Sequence, residues 1–384
     1  MRGHIRKRGN KWVLVVDIGY DENGRRKQRW HSGFETKREA SKALTEVLSR
    51  LQHQEYIEPS KLTVGAFLKE WLDAVQVKLR PSTWASYSLN VEHYIVPALG
   101  TIPLQNLTAA KLNAFYADLL RNGRTRRDGG LSRRSVRYVH TIFRKALHEA
   151  VRWNRLARNV ADLADPPSQG TTRAMKVWDA DELRRFLEHV RDDRYYAAWL
   201  VAATTGVRRG ELLGLRWRDV DLDAGRIGIT QSLVAFRRGS AGDVVFSAPK
   251  TANGRRSIAL DATTLATLKS HRGRQVEERL AWGGAYENND LVFAREDGSA
   301  IHPDAFSWWF RQHVKTAGLL PIRLHDLRHT HATLALAAGI HPKVVSDRLG
   351  HSTVSITLDT YSHAIPAMQE EAAEKVAAIV FGGS

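Results

Sequence analysis

The sequence predicts a multidomain protein that is mainly α-helical and carries small antiparallel sheets. The chain has 384 residues, more than one typical domain contains, and 43% of them are hydrophobic, which is enough for folded cores. Amphipathic helical patterns dominate, and short segments of alternating polarity interrupt them. We therefore expect a small β-sheet-plus-helix domain at 1–55, a helical domain at 62–160 and an α+β domain at 175–384.

The charge balance indicates a polyanion as partner. The formal net charge is +17 and the isoelectric point about 10.2, and residues 1–60, 61–167 and 168–384 carry net charges of +5, +9 and +3. A basic surface that only confers solubility is the alternative, but the asymmetry favours two DNA-holding domains ahead of a nearly balanced one. The chain has no cysteine, which excludes disulfides and thiolate zinc sites. No segment has the apolar length of a membrane span, so we expect a soluble, cytoplasmic protein.

The first domain is predicted as a hairpin backed by one helix. Residues 12–20 are rich in strand formers, the Asn-Gly pair at 23–24 is a strong hairpin signal, and residues 25–30 return as a strand. Thr36 is placed to cap a helix over 37–52. A small basic sheet can enter a DNA groove, although solvated edge-strand charges would produce the same pattern. The candidate DNA contacts here are Arg25, Arg26, Lys27 and Arg29.

Four helices are predicted in the second domain. Thr63, Pro81, Thr108 and Ser132 stand where helices begin, and the segment 97–100, with its proline and glycine, is expected to end the second helix. The loop before the fourth helix, its cap and one of its faces are all basic. This density favours phosphate contacts along a duplex over a merely solvated face. The candidate contacts are Arg124, Arg126, Arg127, Arg133, Arg134 and Arg137.

The third domain follows a predicted linker at 159–172, which contains a Pro-Pro pair. Helices are predicted to begin at Trp178, Tyr195, Asp261 and Pro303. Short strands are predicted over 226–236, 244–249 and 255–260.

Several residues of the third domain favour phosphate chemistry. Arg208 stands beside a glycine-rich turn, where a guanidinium can grip a phosphate through two hydrogen bonds, and Glu211 is spaced to orient a neighbour. His325, Arg328 and His329 share one helix face by their spacing.

Lys250, His351 and Tyr361 extend this pattern. Lys250 stands at a predicted turn between strands, His351 follows Gly350 at a helix break, and Tyr361 ends a short helix. A tyrosine can attack a phosphate when fixed cations shield the charge, as a metal does elsewhere. Taken singly the signals are weak, because Arg-x-x-Glu is usually a helix-surface pair and such a tyrosine usually packs. A zinc site is disfavoured because no His-Glu-x-x-His spacing occurs.

Together these residues closely resemble the tyrosine recombinases, the phage-integrase family of site-specific recombinases. The resemblance covers the third domain fully, as a catalytic domain, and the helical domain more loosely, as a core-binding domain. The first domain resembles the arm-binding domains of integrases. The segments that carry the resemblance are TGVRRGEL at 205–212, PKT at 249–251, HDLRHT at 325–330, LGH at 349–351 and DTY at 359–361.

The resemblance implies a mechanism without metal, ATP or other cofactor. Tyr361 would attack the scissile phosphate, leaving a 3′-phosphotyrosine and a free 5′-hydroxyl. Two arginines would hold the non-bridging oxygens, two histidines would assist, and Lys250 would protonate the leaving oxygen. The implied catalytic set is Arg208, Lys250, His325, Arg328, His351 and the nucleophile Tyr361, supported by Glu211.

The resemblance also implies partners and a biological role. Double-stranded DNA would be bound at core and arm attachment sites by a homotetramer that acts through a Holliday junction, with an accessory protein directing excision or bending DNA. A tail helix over 366–381 would dock on a neighbouring protomer or on its own. The implied role is integration and excision of a phage or mobile element. A recombinase of the chromosome-dimer-resolvase type and a non-cutting DNA-binding relative are the alternatives.

Overall fold

The chain forms two compact units, Met1–Thr172 and Arg173–Ser384. The three-domain division at 1–55, 62–160 and 175–384 stays a prediction. No helix in the described part of the chain is long and apolar enough to cross a membrane. The computed structural model describes residues 3–20, 24–52, 56–124, 128–170, 175–238, 241–248, 254–361, 374 and 376–382.

The N-terminal sheet has three antiparallel strands in the order β1-β2-β3, and one helix packs on it. Leu14, Val16 and Leu51 form the core between them. The predicted cap is confirmed, since the Glu39 amide donates to Thr36 Oγ1 over 3.2 Å. The first strand was not predicted, because most of its residues are basic and they do not alternate with apolar residues. The elements are β1 (Gly3–Arg8), β2 (Lys11–Tyr20), β3 (Arg26–Phe34) and α1 (Lys37–Gln52).

The helical part of the first unit follows the predicted caps. The side chains of Thr63, Thr108 and Ser132 each accept a hydrogen bond from the backbone of the helix that they begin. The second helix ends at Gly100, within the predicted segment 97–100, and a π-helical turn interrupts it before Pro97. The elements are α2 (Val64–Gln76), α3 (Pro81–Asn90), the π turn Val91–Ile95, α4 (Val96–Leu99), α5 (Ala109–Asn122) and α6 (Arg133–Arg152).

The beginning of the predicted linker at 159–172 is part of this helical core. Asn159 is buried and donates through Nδ2 to the Arg144 carbonyl over 2.9 Å. A 3₁₀ turn, Val160–Leu163, then buries Ala161. The linker prediction is therefore wrong for its first residues. Glycine and proline mark loops in a sequence, but they do not show whether a loop packs against a core.

The second unit surrounds an aromatic core in which Trp178, Trp199, Phe306 and Phe310 are fully buried. A capping box begins the first helix of this unit at Asp179, one residue after the predicted start at Trp178. A smaller cluster packs Tyr361 against α12 and α13. The helices are α7 (Ala180–His189), α8 (Tyr196–Thr205), α9 (Arg209–Leu213), α10 (Ala262–Trp282), α11 (Pro303–Thr316), α12 (Leu324–Ala337), α13 (Pro342–Leu349) and α14 (Val354–Tyr361).

The strands of this unit form a three-stranded sheet, β4-β5-β8, and a separate hairpin of β6 and β7. The predicted single strand over 226–236 is wrong, because it breaks after Ile229 and continues in the other sheet. Its alternation runs through the break, so polarity alone does not mark it. In the tail, residues 374 and 376–381 are helical, and the rest of the predicted tail helix lies outside the described residues. The strands are β4 (Val220–Asp221), β5 (Arg226–Ile229), β6 (Ser232–Arg238), β7 (Ala241–Ser247) and β8 (Arg256–Ala259).

Candidate active site

Arg208 is held at the junction between α8 and α9. Gly206 ends α8 with φ +65°, and a Cβ there would lie 2.7 Å from Leu349 Cδ2, so the turn requires glycine. Arg208 donates through Nη1 to Glu211 Oε1 over 2.7 Å and through Nη2 to the Gly350 carbonyl over 3.1 Å. Its side chain remains 41% exposed. The guanidinium is therefore fixed in direction and still reachable by a ligand.

Arg328, on α12, is the opposite case, because the residue is only 3% exposed. Its Nη1 donates to the Gly206 carbonyl over 2.8 Å, whereas its buried Nη2 has no hydrogen-bond partner in the described part of the chain. Burial and the charge of Arg208 lower its pKa to about 9. A buried donor without a partner is costly, and an oxyanion would satisfy it.

Glu211 links Arg208 to a second arginine that the sequence analysis missed. Arg256 Nη2 donates to Glu211 Oε2 over 2.7 Å, and both side chains are buried. Burial alone would raise the pKa of Glu211, but its hydrogen bonds with Arg256 and Arg208 hold it below the usual range. Arg256 Nε also donates to the Arg348 carbonyl over 2.6 Å, at the end of α13. One signal for Arg256 was present in the sequence. Arg256 and Ile258 are two residues apart on a strand, so Arg256 lies on the same face as the buried Ile258.

Tyr361 ends α14 and is completely buried. Its hydroxyl oxygen lies 2.8 Å from His329 Nδ1. Burial raises the pKa of Tyr361 to about 12, and the charge of Arg328 limits the rise. Burial and the neighbouring His325 lower the pKa of His329 to about 4. The phenol and the imidazole are thus both neutral near pH 7.

The two predicted histidines flank this pair. The His325 ring lies edge-on to His329, with centroids 4.9 Å apart, and loss of hydration and the charge of Arg328 lower the pKa of His325. His351 follows Gly350, whose φ of +68° ends α13, and its Nδ1 lies 2.8 Å from Thr357 Oγ1. Burial and the charges of the two site arginines lower the pKa of His351 to about 4.

The structure thus brings most of the predicted catalytic residues into one cluster. Three arginines, a phenol and three imidazoles meet around the ends of α9, α12, α13 and α14. Lys250 lies outside the described residues. The members within them are Arg208, Glu211, His325, Arg328, His351 and Tyr361, with His329 and Arg256 in addition.

Two of the predicted DNA contacts of the N-terminal sheet, Lys27 and Arg29, lie on the same face of β3 by strand alternation. Lys27 forms an ion pair with Glu58 (3.1 Å), and Arg29 pairs with Val16, whose side chain faces α1. By strand alternation, Arg6 and Trp30 lie on the opposite face, and the Arg6 guanidinium carbon is 3.7 Å from the Trp30 ring centroid. Arg25 and Arg26 are exposed.

The predicted contacts of the helical domain lie at the start of α6 and in the loop before it. Arg133 donates to Ser168 Oγ and Arg137 to the Pro167 carbonyl, each over 3.2 Å. Arg134 is exposed, and the described residues give it no ion-pair partner. Arg124 is exposed. Arg126 and Arg127 lie outside the described residues.

Three family models match the chain. The Phage integrase family matches residues 176–368, the Arm DNA-binding domain residues 4–51, and the Phage integrase N-terminal SAM-like domain residues 63–120. The chain is 28% identical to a protein named "Tyrosine recombinase XerC-like" from Caldanaerobacter subterraneus subsp. tengcongensis, with 96% of each chain covered. It is 26% identical to the ICEBs1 integrase of Bacillus subtilis, over 95% of this chain and 96% of that protein.

Solved structures share the fold. The Tn1549 transposon integrase in complex with a circular intermediate DNA matches with a TM-score of 0.67 and 21% identity, over 82% of this chain and all of that one. A lambda integrase tetramer bound to a Holliday junction matches with a TM-score of 0.55 and 17% identity, over 94% and 95%. These matches confirm the fold class and the family resemblance. The chain belongs to the phage integrase family, whose members are tyrosine recombinases that cleave and rejoin DNA.

Proposed function

We propose that this chain is the integrase of a phage or other mobile element, which integrates and excises that element through a 3′-phosphotyrosine and a Holliday junction. One observation carries the proposal. The Tyr361 hydroxyl lies in one cluster with two arginines that have free or reachable donors, which is what an in-line attack on a phosphodiester needs. The arm-domain match at residues 4–51 supports the integrase role, because such a domain binds DNA away from the cleavage site.

The proposed roles follow the chemistry of each group. Tyr361 attacks phosphorus, and Arg208 and Arg328 bind the non-bridging oxygens. The partnerless Nη2 of Arg328 supports its part, since a phosphate oxygen would replace the missing acceptor. Glu211 keeps the Arg208 guanidinium aligned. Lys250 protonates the leaving 5′-oxygen, and His325 and His351 donate hydrogen bonds to the phosphate.

The proposed assembly is a homotetramer on double-stranded DNA with core and arm sites. The lambda integrase tetramer on a Holliday junction, which shares the fold, supports this. The apolar tail residues Val376, Ile379 and Phe381 are exposed, which supports docking on a neighbouring protomer over docking in cis. An accessory protein would set the direction of the reaction.

The first test asks whether Tyr361 becomes linked to DNA. A nicked duplex that carries the core of the attachment site traps the covalent product, because the short cleaved strand diffuses away. We expect a protein–DNA band that survives SDS with the wild type and none with Tyr361→Phe. Tyr286→Phe, the same change in a loop of the same unit, is the control and should keep the band. An SDS-resistant band with Tyr361→Phe would show that Tyr361 is not the nucleophile.

The second test separates an element integrase from a resolvase-type recombinase. Deleting residues 1–55 removes the arm-domain match and leaves the cluster intact. We expect core-site cleavage within about threefold of the wild type, and a loss of integration between full attachment sites, because only the latter needs arm contacts. Unchanged integration after the deletion would favour the resolvase alternative.

A further inference from the structure

His329 has no part in the roles above, yet it contacts the reacting atom. Its Nδ1 lies 2.8 Å from the Tyr361 hydroxyl oxygen, which is hydrogen-bond distance, and the two ring centroids are 5.7 Å apart. The described residues show no hydrogen bond between Tyr361 and His325, one helical turn earlier. His329 is therefore the imidazole best placed to exchange a proton with the nucleophile.

Resting on the proposed role of Tyr361, we propose that His329 is the catalytic base that accepts the phenolic proton during DNA cleavage. As the bond from the tyrosine oxygen to phosphorus forms, the proton moves to Nδ1 and the bond from phosphorus to the 5′-oxygen breaks. The leaving oxygen takes its proton from the acid assigned to Lys250. In religation the 5′-hydroxyl attacks, and the His329 imidazolium returns the proton to the departing phenolate.

The nucleophile needs such a base because it is protonated at working pH. With its pKa raised to about 12 by burial, only about 10⁻⁵ of Tyr361 is ionised at pH 7. His329 is neutral there, since its pKa is about 4, and with its proton on Nε2 its Nδ1 is a free acceptor. A bound phosphodiester adds negative charge nearby and raises that pKa toward neutrality, where an imidazole is most effective as a base.

The carboxylates of the cluster are already engaged. Glu211 accepts hydrogen bonds from Arg208 and Arg256, and Asp326 accepts two from the Arg323 side chain. Neither has a hydrogen bond with the Tyr361 hydroxyl in the described part of the chain. Among the described residues, the titratable and charged groups around His329 are Tyr361 from α14, His351 after α13, and His325, Asp326, Arg328 and Arg323 from α12 and its start.

The test compares single-turnover cleavage by full-length wild type and His329→Asn on the nicked duplex between pH 6 and 9. The asparagine side-chain oxygen can accept the hydrogen bond that the Tyr361 hydroxyl donates to Nδ1 in the wild type. It cannot take the proton, so hydroxide must ionise Tyr361 instead. We expect the wild type to be at least about 100-fold faster at pH 7. The ratio of the wild-type rate to the variant rate should then fall about tenfold per pH unit above pH 7, because the variant depends on hydroxide. His325→Asn, the matched change one turn away, should give a ratio that does not vary with pH.

A ratio for His329→Asn that stays constant with pH, or one near unity, would overturn the inference, because a merely misplaced tyrosine loses rate equally at every pH. His329→Ala is held to the same criterion, in case the asparagine variant folds poorly. Each variant is compared only after duplex binding matches the wild type. The covalent band of the wild type separates the two proposals. Its absence would defeat the role of Tyr361, whereas its presence with a constant ratio would defeat only that of His329.

Discussion

The start of α6 and the candidate active site are both rich in arginine, but they hold it in opposite ways. Arg134 is exposed to solvent, and Arg133 is exposed and donates to Ser168. In the active site, Arg328 and Arg256 are buried, and the pKa of Arg328 falls to about 9. Water screens the first set, whereas the second is held by protein dipoles and carboxylates.

This difference separates binding from chemistry. Exposed cations attract a polyanion from many directions and contribute small, similar amounts to affinity. A buried guanidinium has already lost its water, so its free donors are poised for one ligand geometry and are costly to displace. We therefore expect substitutions in the cluster to have large effects on rate, and substitutions on α6 to have modest effects on affinity.

The largest expected effect is that of Arg328→Lys. Lysine keeps the charge but cannot bond Gly206 and a phosphate oxygen at once, because it lacks the planar fork. We expect single-turnover cleavage to fall about 10²–10³-fold with duplex affinity nearly unchanged. Arg209→Lys is the control, because that neighbour of Arg208 donates to Asp304 and Ser307 on α11 instead. Near-normal cleavage by Arg328→Lys would mean that the buried position confers no advantage.

A smaller effect, on stability, is expected for Arg256→Gln. The change leaves the buried Glu211 carboxylate with Arg208 alone, and breaking one side of a buried ion pair costs about 3 kcal/mol or more. Urea unfolding should show a lower free energy of unfolding, and Glu211→Gln in the same chain should recover part of the loss. Arg226→Gln on the adjacent strand removes only an exposed bond to Ser257 and should cost under about 0.5 kcal/mol. Equal losses in both variants would contradict this role for Arg256.

Features that depend on a few consecutive residues were predictable from the sequence. Thr63 and Thr108 begin helices as predicted, and Asp179 begins one a single residue after the prediction, because a cap and the amide it accepts from are three residues apart. The break after Ile229 was not predictable, because it depends on which sheet each half joins.

The same distinction applies to the site. Motif spacing identified most members of the cluster, but not Arg256, and it did not show how the members are connected. The ion pair of Arg256 with Glu211 joins residues 45 positions apart, and the contact of His329 with Tyr361 joins residues 32 apart. Neither pairing is encoded in local periodicity, so only the fold reveals them.

The smallest expected effect is that of Arg134→Ala, which tests the exposed half of the comparison. If this guanidinium neutralises one phosphate, the slope of log K against log salt should become shallower by about 0.9, equally on specific and random duplexes. Cleavage of bound DNA should not change, because no cluster residue is touched. Arg152→Ala at the far end of α6 is the control, since Arg152 is paired with Glu149 (2.8 Å) and should leave the slope unaltered. An unaltered slope for Arg134→Ala would mean that the basic start of α6 confers solubility alone, and that DNA is gripped elsewhere in the first unit.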